Sequence, residues 1–156
     1  MSDCQIETDE EMRFPDDYIH NIAERMHLYR ELDNVETEEQ LLTFENNLTD
    51  RFGVIPEAGQ RLLQIVRIRQ VAKTLGLEKI VFKNQMLYLY FVSNPESWFY
   101  QSPIFMKILQ WLQNNPKKAR MTEGREKLYI TIKPVKTTGE VLQILNSIHH
   151  QAYDQL

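Results

Sequence analysis

"KIVFKNQMLYLYFV", residues 79–92, is where the chain changes its period. β-Branched and aromatic residues stand here in two runs on either side of Asn84 and Gln85, which reads as a β-hairpin. Gln85 is an unusual occupant of a tight primed turn, where both central residues need positive φ. Upstream of Gly76 the apolar residues recur every three or four positions, and downstream they alternate. The switch divides the sequence into a helical half, about 14–76, and a sheet-forming half, about 77–150. It predicts an α+β fold.

Working back from the hairpin, Ala58, Leu62, Ile65 and Ala72 make the inner stripe of a helix from about Pro56 to Leu75. Pro56 stands where a missing N–H costs nothing, and Gly76 is the stop. The helix before it starts at Thr37, with Gln40 three residues on as a capping box. It carries Leu41, Phe44, Leu48 and Phe52 to a stop at Gly53. "FPDDYI", from Phe14, reads as the opening of the first helix, with Ile19, Ile22, Met26 and Tyr29 on one face. Residues 1–13 read as an acidic lead-in, partly extended near Gln5.

Working forward, Ser102 and Pro103 start a helix that uses Ile104, Ile108, Trp111 and Leu112 and stops before Pro116. A second hairpin is expected around Glu123 and Gly124, with Leu128, Ile130 and Ile132 alternating against Tyr129, Thr131 and Lys133. Thr137 and Glu140 cap a last helix with Val141, Ile144, Leu145 and Ile148 inside. The expectation is three helices followed by two ββα units, whose hairpins form an antiparallel sheet with helices packed on one face. Residues 14–156 read as a single domain.

Composition narrows the function classes. The 156 residues are 42% apolar with 10% aromatics, enough for a real core. No apolar run reaches the roughly 20 residues of a membrane span, and the acidic N-terminus is unlike a signal peptide, so no membrane partner and a cytoplasmic location are expected. Net charge is −4, with seven acids against one arginine in residues 1–17. Residues 117–136 instead hold seven cations against two acids. Lys117, Lys118, Arg120, Arg125 and Lys127 are the candidates for phosphate contact there, although the outward face of a hairpin accounts for the same residues.

Catalytic signatures are missing from the sequence. The five glycines are isolated and no G-K-[ST] occurs, so no nucleotide-binding loop is expected. His20, His27, His149 and His150 show no metal-ligand spacing, Cys4 is the lone thiol, and no cofactor is expected. Trp98, Phe99 and Tyr100 read as a plug on the core, or as a partner anchor or base-stacking platform. Arg69, close to the apolar stripe of its helix, reads as a snorkelling or paired cation.

The segments "FPDDYIHNIAERMHLYREL" (14–32), "LTFENNLTDRFGVIP" (42–56) and "VRIRQVAKTLGLEKI" (66–80) together resemble the C-terminal domain of the transcription-repair coupling factor (Mfd) family. The run Leu48-x-Asp50-Arg51-Phe52-Gly53-x-x-Pro56 carries most of that likeness. The resemblance implies a non-catalytic regulatory domain of an ATP-dependent DNA translocase. Such a domain holds the parent chain's UvrB-like N-terminal module in an autoinhibited state, masking its UvrA-binding surface and restraining the motor. UvrA, RNA polymerase and DNA are then partners through the parent protein. On this view Asp50 is an acidic contact for arginines of that module, with Asn47, Arg51 and Glu45 as its neighbours. The family often has an acid at the position of Asn47, and here an amide stands in its place. The other class of function is direct nucleic-acid binding through the basic hairpin 117–136.

Overall fold

The computed structural model describes residues 3–154. The chain divides into two compact units: residues 11–70, and residues 1–10 together with 71–156.

The first unit is helical. Its helices are α1 (Ile22–Asp33), α2 (Glu38–Phe52) and the larger part of α3 (Glu57–Thr74), which runs past the unit boundary. Phe14, Ile19, Leu28, Leu32, Leu41, Phe44, Leu48, Ile55, Leu63 and Val66 form its core. The expected phase of the first helix is corrected. Phe14 to His20 is a turn, in which the Pro15 carbonyl accepts from both Tyr18 and Ile19. The helix begins only at Ile22, because the Asn21 side chain caps it by accepting from the Glu24 N–H at 2.9 Å. Leu28 and Leu32 therefore set the buried stripe, and Ile22 and Met26 are exposed. Arg25 ties the turn to the helix by donating to the Ile19 carbonyl at 2.8 Å and pairing with Asp16 at 3.2 Å.

Start and stop signals hold for the next two helices. Thr37 and Gln40 form the reciprocal capping box of α2. Gly53 ends that helix at φ +86° and ψ −161°, with its N–H on the Thr49 carbonyl and its own carbonyl accepting from the Tyr18 hydroxyl at 2.8 Å. On α3 the buried residues are Ala58, Leu63, Val66, Ile68 and Ala72, whereas Leu62 and Ile65 are half-buried.

The second unit is a five-stranded sheet with helices α4 (Pro103–Asn114) and α5 (Thr138–His149). Its strands are β1 (Gln5–Thr8), β2 (Leu77–Lys83), β3 (Met86–Phe91), β4 (Ala119–Gly124) and β5 (Lys127–Ile132), in the order β1-β2-β3-β5-β4. The two hairpins pair antiparallel throughout. The acidic lead-in contributes β1, a fifth strand parallel to β2, so the sheet is mixed, and Cys4, the residue before β1, is buried. Alternation alone could not announce this strand, since a parallel neighbour is reached only through a long connection.

Both turn residues of the first hairpin take positive φ, Asn84 at 55° and Gln85 at 61°. Asn84 donates its N–H to Asp9 and Gln85 receives the Val135 N–H at 2.8 Å, so hydrogen bonds hold an otherwise disfavoured turn. The second turn lies at Arg125 and Glu126, beyond the expected Glu123 and Gly124. Pairing of Ala119 with Ile132 and of Met121 with Ile130 sets the register, leaving Gly124 inside β4 opposite Lys127.

Ser102, with Pro103 at the first turn, caps α4, and Thr137 caps α5. A small apolar gap lined by Leu89, Ile130, Ile108 and Ile148 lies where both helices meet one face of the sheet. Phe99 is buried and stacks on Phe91 at 5.9 Å, while Trp98 beside it is exposed.

Candidate partner-binding surface

α2 presents the candidate acidic site. Asn47 and Asp50 lie three residues apart, hence on one helical face, and both are exposed. Together with Arg51 they rim a cleft of about 220 Å³, whose floor is Leu28, Phe44 and Leu48. Arg51 is held by an ion pair to Glu24 of α1, and its guanidinium lies 4.8 Å from the centre of the Phe52 ring. Glu45 is not part of this cleft. It pairs with Arg67 of α3 at 3.5 Å, and Arg67 also binds Glu38 at 3.0 Å. Desolvation, the largest single influence, lowers the Arg67 pKa, but Glu38 and Glu45 together outweigh it and raise the value, so this guanidinium stays charged. Arg69, two residues later, is half-buried and has no ion pair among the described residues.

The cleft includes an acid that the sequence reading missed. Glu31 of α1 stands on the same rim as Asp50, and it also borders a neighbouring cleft of about 660 Å³ beside Glu39. The false phase of the first helix hid it, since only a Leu28/Leu32 stripe turns Glu31 toward α2. Among the described residues neither Glu31 nor Asp50 has a side-chain partner, whereas Arg13, Arg25, Arg51, Arg61 and Arg67 all do. The unit carries twelve acids against seven arginines and no lysine. Five of its seven arginines are engaged in ion pairs within the unit, and the surplus acids define the electrostatics of the cleft.

The basic hairpin is not one continuous stripe. Lys117 and Lys118 precede β4 and Arg120 lies near its start, while Arg125 and Lys127 stand at the turn. At 3.3–3.4 Å per residue the two groups are roughly 15–20 Å apart. All five are exposed, with Glu123 and Glu126 among the turn group. The turn group borders a separate cleft of about 560 Å³, lined on its apolar side by Tyr100, Phe105 and Met121.

Among the described residues no three His, Cys, Asp or Glu side chains cluster as metal ligands, and no helix is long and apolar enough to cross a membrane. His149 faces the Thr74 hydroxyl at 3.0 Å and stacks on Tyr153, and His150 meets Asp154 at 3.0 Å.

Comparison with known proteins gives a coherent set. The TRCF domain family matches residues 8–102. The transcription-repair-coupling factor of Escherichia coli K12 is 36% identical over 78 residues, 47% of this chain and 7% of that protein. The same factor from Staphylococcus epidermidis is 30% identical over 131 residues, 80% of this chain and 11% of that protein. That of Rickettsia conorii is 27% identical over 116 residues, or 74% and 10%. The chain thus spans about a tenth of the length of these relatives. A crystal structure of the C-terminal domain of transcription-repair coupling factor superposes with a TM-score of 0.74, covering 100% of this chain and 99% of that one at 15% identity. At that identity the likeness shows a shared fold.

Proposed function

Because the chain belongs to the TRCF domain family, we propose that it acts as the C-terminal regulatory module of a transcription-repair coupling protein. In this reading it docks through the acidic α1–α2 cleft onto a basic surface of a UvrB-like N-terminal module in the same parent chain. Docking covers the surface through which that module recruits UvrA and restrains the DNA-translocating motor, and contact with RNA polymerase and DNA belongs to the rest of the parent. The module itself performs no catalysis. The observation that carries the reading is the pair of partnerless acids, Asp50 and Glu31, flanking an amide at Asn47 on the rim of one cleft. Carboxylates and an amide in that spacing suit guanidinium groups, which take planar, charge-assisted hydrogen bonds. Arg51, held by Glu24, supplies a fixed edge rather than a competing charge.

The test is calorimetric titration of this chain with the separately produced N-terminal module at low and high salt. The expected result is binding that weakens with salt and is lost in Asp50→Arg, with Glu31→Arg acting in the same direction. Binding indifferent to both reversals moves the contact to another surface, and no binding at low salt refutes the docking.

A further inference from the structure

The sheet has a second face. Inner positions such as Leu89 and Ile130 are buried, while their neighbours Tyr88, Tyr90 and Tyr129 emerge on the opposite side, half-exposed. β3 and β5 are central strands, and the three rings form one cluster: Tyr90 to Tyr129 at 5.0 Å, Tyr88 to Tyr129 at 6.3 Å, Tyr88 to Tyr90 at 6.5 Å. Aromatic side chains on an open sheet face are more than core, because no packing demand requires three tyrosines there.

Cations border this cluster in register. Arg120 pairs with Thr131, which pairs with Tyr88, so Arg120 shares a cross-strand row with that ring. One outward step further along the strands, the Lys133 N–H donates to the Lys118 carbonyl, placing two more lysines side by side. Arg120, Lys118 and Lys133 are exposed and have no carboxylate partner among the described residues. On the far side, Lys79 and Lys83 share one acid, Glu7, at 3.3 and 3.8 Å. Lys79 also lies 6.0 Å from the centre of the Tyr90 ring. The face is therefore cationic in a protein of net charge −4.

We propose that this tyrosine-paved face binds single-stranded nucleic acid, with bases stacked on Tyr88, Tyr90 and Tyr129 and phosphates running along Arg120, Lys118 and Lys133. Flat π-surfaces on the middle strands of an open sheet accept unpaired bases of any sequence, and neighbouring cations track the backbone. A duplex keeps its bases stacked inside and would leave the tyrosines unused, and an acidic peptide would use the cations but not the row of rings. Burial raises the Tyr90 pKa, so the ring presents a neutral phenol at physiological pH. Of the five hairpin cations, this geometry uses Lys118 and Arg120; Arg125 stands at the turn, and Lys127 lies two residues from Tyr129 on β5, at the other end of the ring cluster.

The experiment is fluorescence anisotropy of a labelled oligo-dT of about 12 nucleotides titrated with the whole chain. A duplex of equal length and heparin, a polyanion without bases, serve as competitors. The single strand is expected to bind more tightly than the duplex. The pair Tyr90→Thr and Tyr129→Thr weakens binding about tenfold or more, and the pair Tyr90→Phe and Tyr129→Phe retains it. Arg120→Glu weakens binding and flattens its salt dependence. Asp50→Arg leaves binding unchanged, so this result stands or falls apart from the acidic docking site. The proposal is overturned if the oligonucleotide does not bind at low salt, or if heparin and duplex compete equally while the Thr pair binds as the parent. It is equally overturned if the chain self-associates in solution and the Thr pair releases monomers, since the face then belongs to a second copy.

Discussion

Gly76→Ala carries two separable penalties. The residue sits at φ +68°, where an L side chain is disfavoured by about 1–2 kcal/mol. A Cβ built there would also lie 2.6 Å from two carbons of the Phe99 ring and 2.8 Å from a third. That ring cannot retreat freely, because Phe91 stacks on it at 5.9 Å and Phe105 meets its edge at 5.5 Å. Overpacking of a filled site costs about 1–3 kcal/mol, so the expected total is about 2–5 kcal/mol. Gly53 supplies the control: it too has positive φ, at 86°, but nothing lies within 4 Å of a Cβ there. Urea unfolding of Gly76→Ala, Phe99→Leu and the double variant, followed by tryptophan emission, measures the steric part directly. Trp98 and Trp111 both belong to the sheet unit, so the probe reports the right region. The coupling expected between the two substitutions is favourable by at least about 1 kcal/mol, as for side chains in contact. Strict additivity would refute the steric argument, and a cost below about 1 kcal/mol for Gly76→Ala would refute both parts.

Three further outcomes follow from the same geometry. Tyr29→Phe removes only the hydroxyl that receives the Phe14 N–H at 2.9 Å, leaving the stacked rings in place; the expected loss is about 1–3 kcal/mol in a thermal or urea melt. Thr37→Ala breaks the capping box of α2 and costs about 1 kcal/mol, with faster amide exchange confined to the first turn as the local readout. Desolvation raises the pKa of Tyr18, Tyr90, Tyr100 and Tyr153, so in each case the folded state holds its proton more firmly than the unfolded chain. Their contribution is complete below the unfolded value of about 10 and is lost as pH rises through the folded values. Melting temperature should therefore begin to fall near pH 10, together with phenolate absorbance.

What the sequence disclosed depends on how local each signal is. The capping box at Thr37 and Gln40, the Ser102 and Pro103 helix start and the Gly76 stop each act within one turn, and each is found where the residues place it. The two hairpins are legible because alternation and turn chemistry are also local. The phase of α1 was not, because Ile19, Ile22 and Met26 imitate a stripe that Asn21 interrupts, and burial of Leu28 and Leu32 decides the matter through contacts made far along the chain. Only half of β1 is legible: the lead-in reads as extended near Gln5, but its parallel pairing does not, because its partner Leu77–Lys83 is about seventy residues away. The candidate site divides in the same way. Asn47 and Asp50 share a face by helical arithmetic, whereas Glu31 reaches their cleft only through the packing of α1, and Glu45 leaves it for Arg67 on α3.

The distribution of charge turns that division into a functional argument. The helical unit spends five of its seven arginines on local ion pairs and shows unpaired acids at its cleft, while the sheet unit holds eleven cations, nine of them lysines, against ten acids. Arginine suits fixed, bidentate pairs, and lysine suits mobile contact with a hydrated polyanion. On the two proposals, a chain of net charge −4 carries two surfaces of opposite preference: an acidic cleft that should reject nucleic acid, and a tyrosine-bearing face that should accept it. Ionic strength weakens ligand binding at both, but the variants that matter do not overlap. Asp50→Arg should abolish protein docking without loss of oligonucleotide binding, and the Tyr90/Tyr129 Thr pair should do the reverse. A single substitution that removed both activities would show that the two units do not act as separate binding elements.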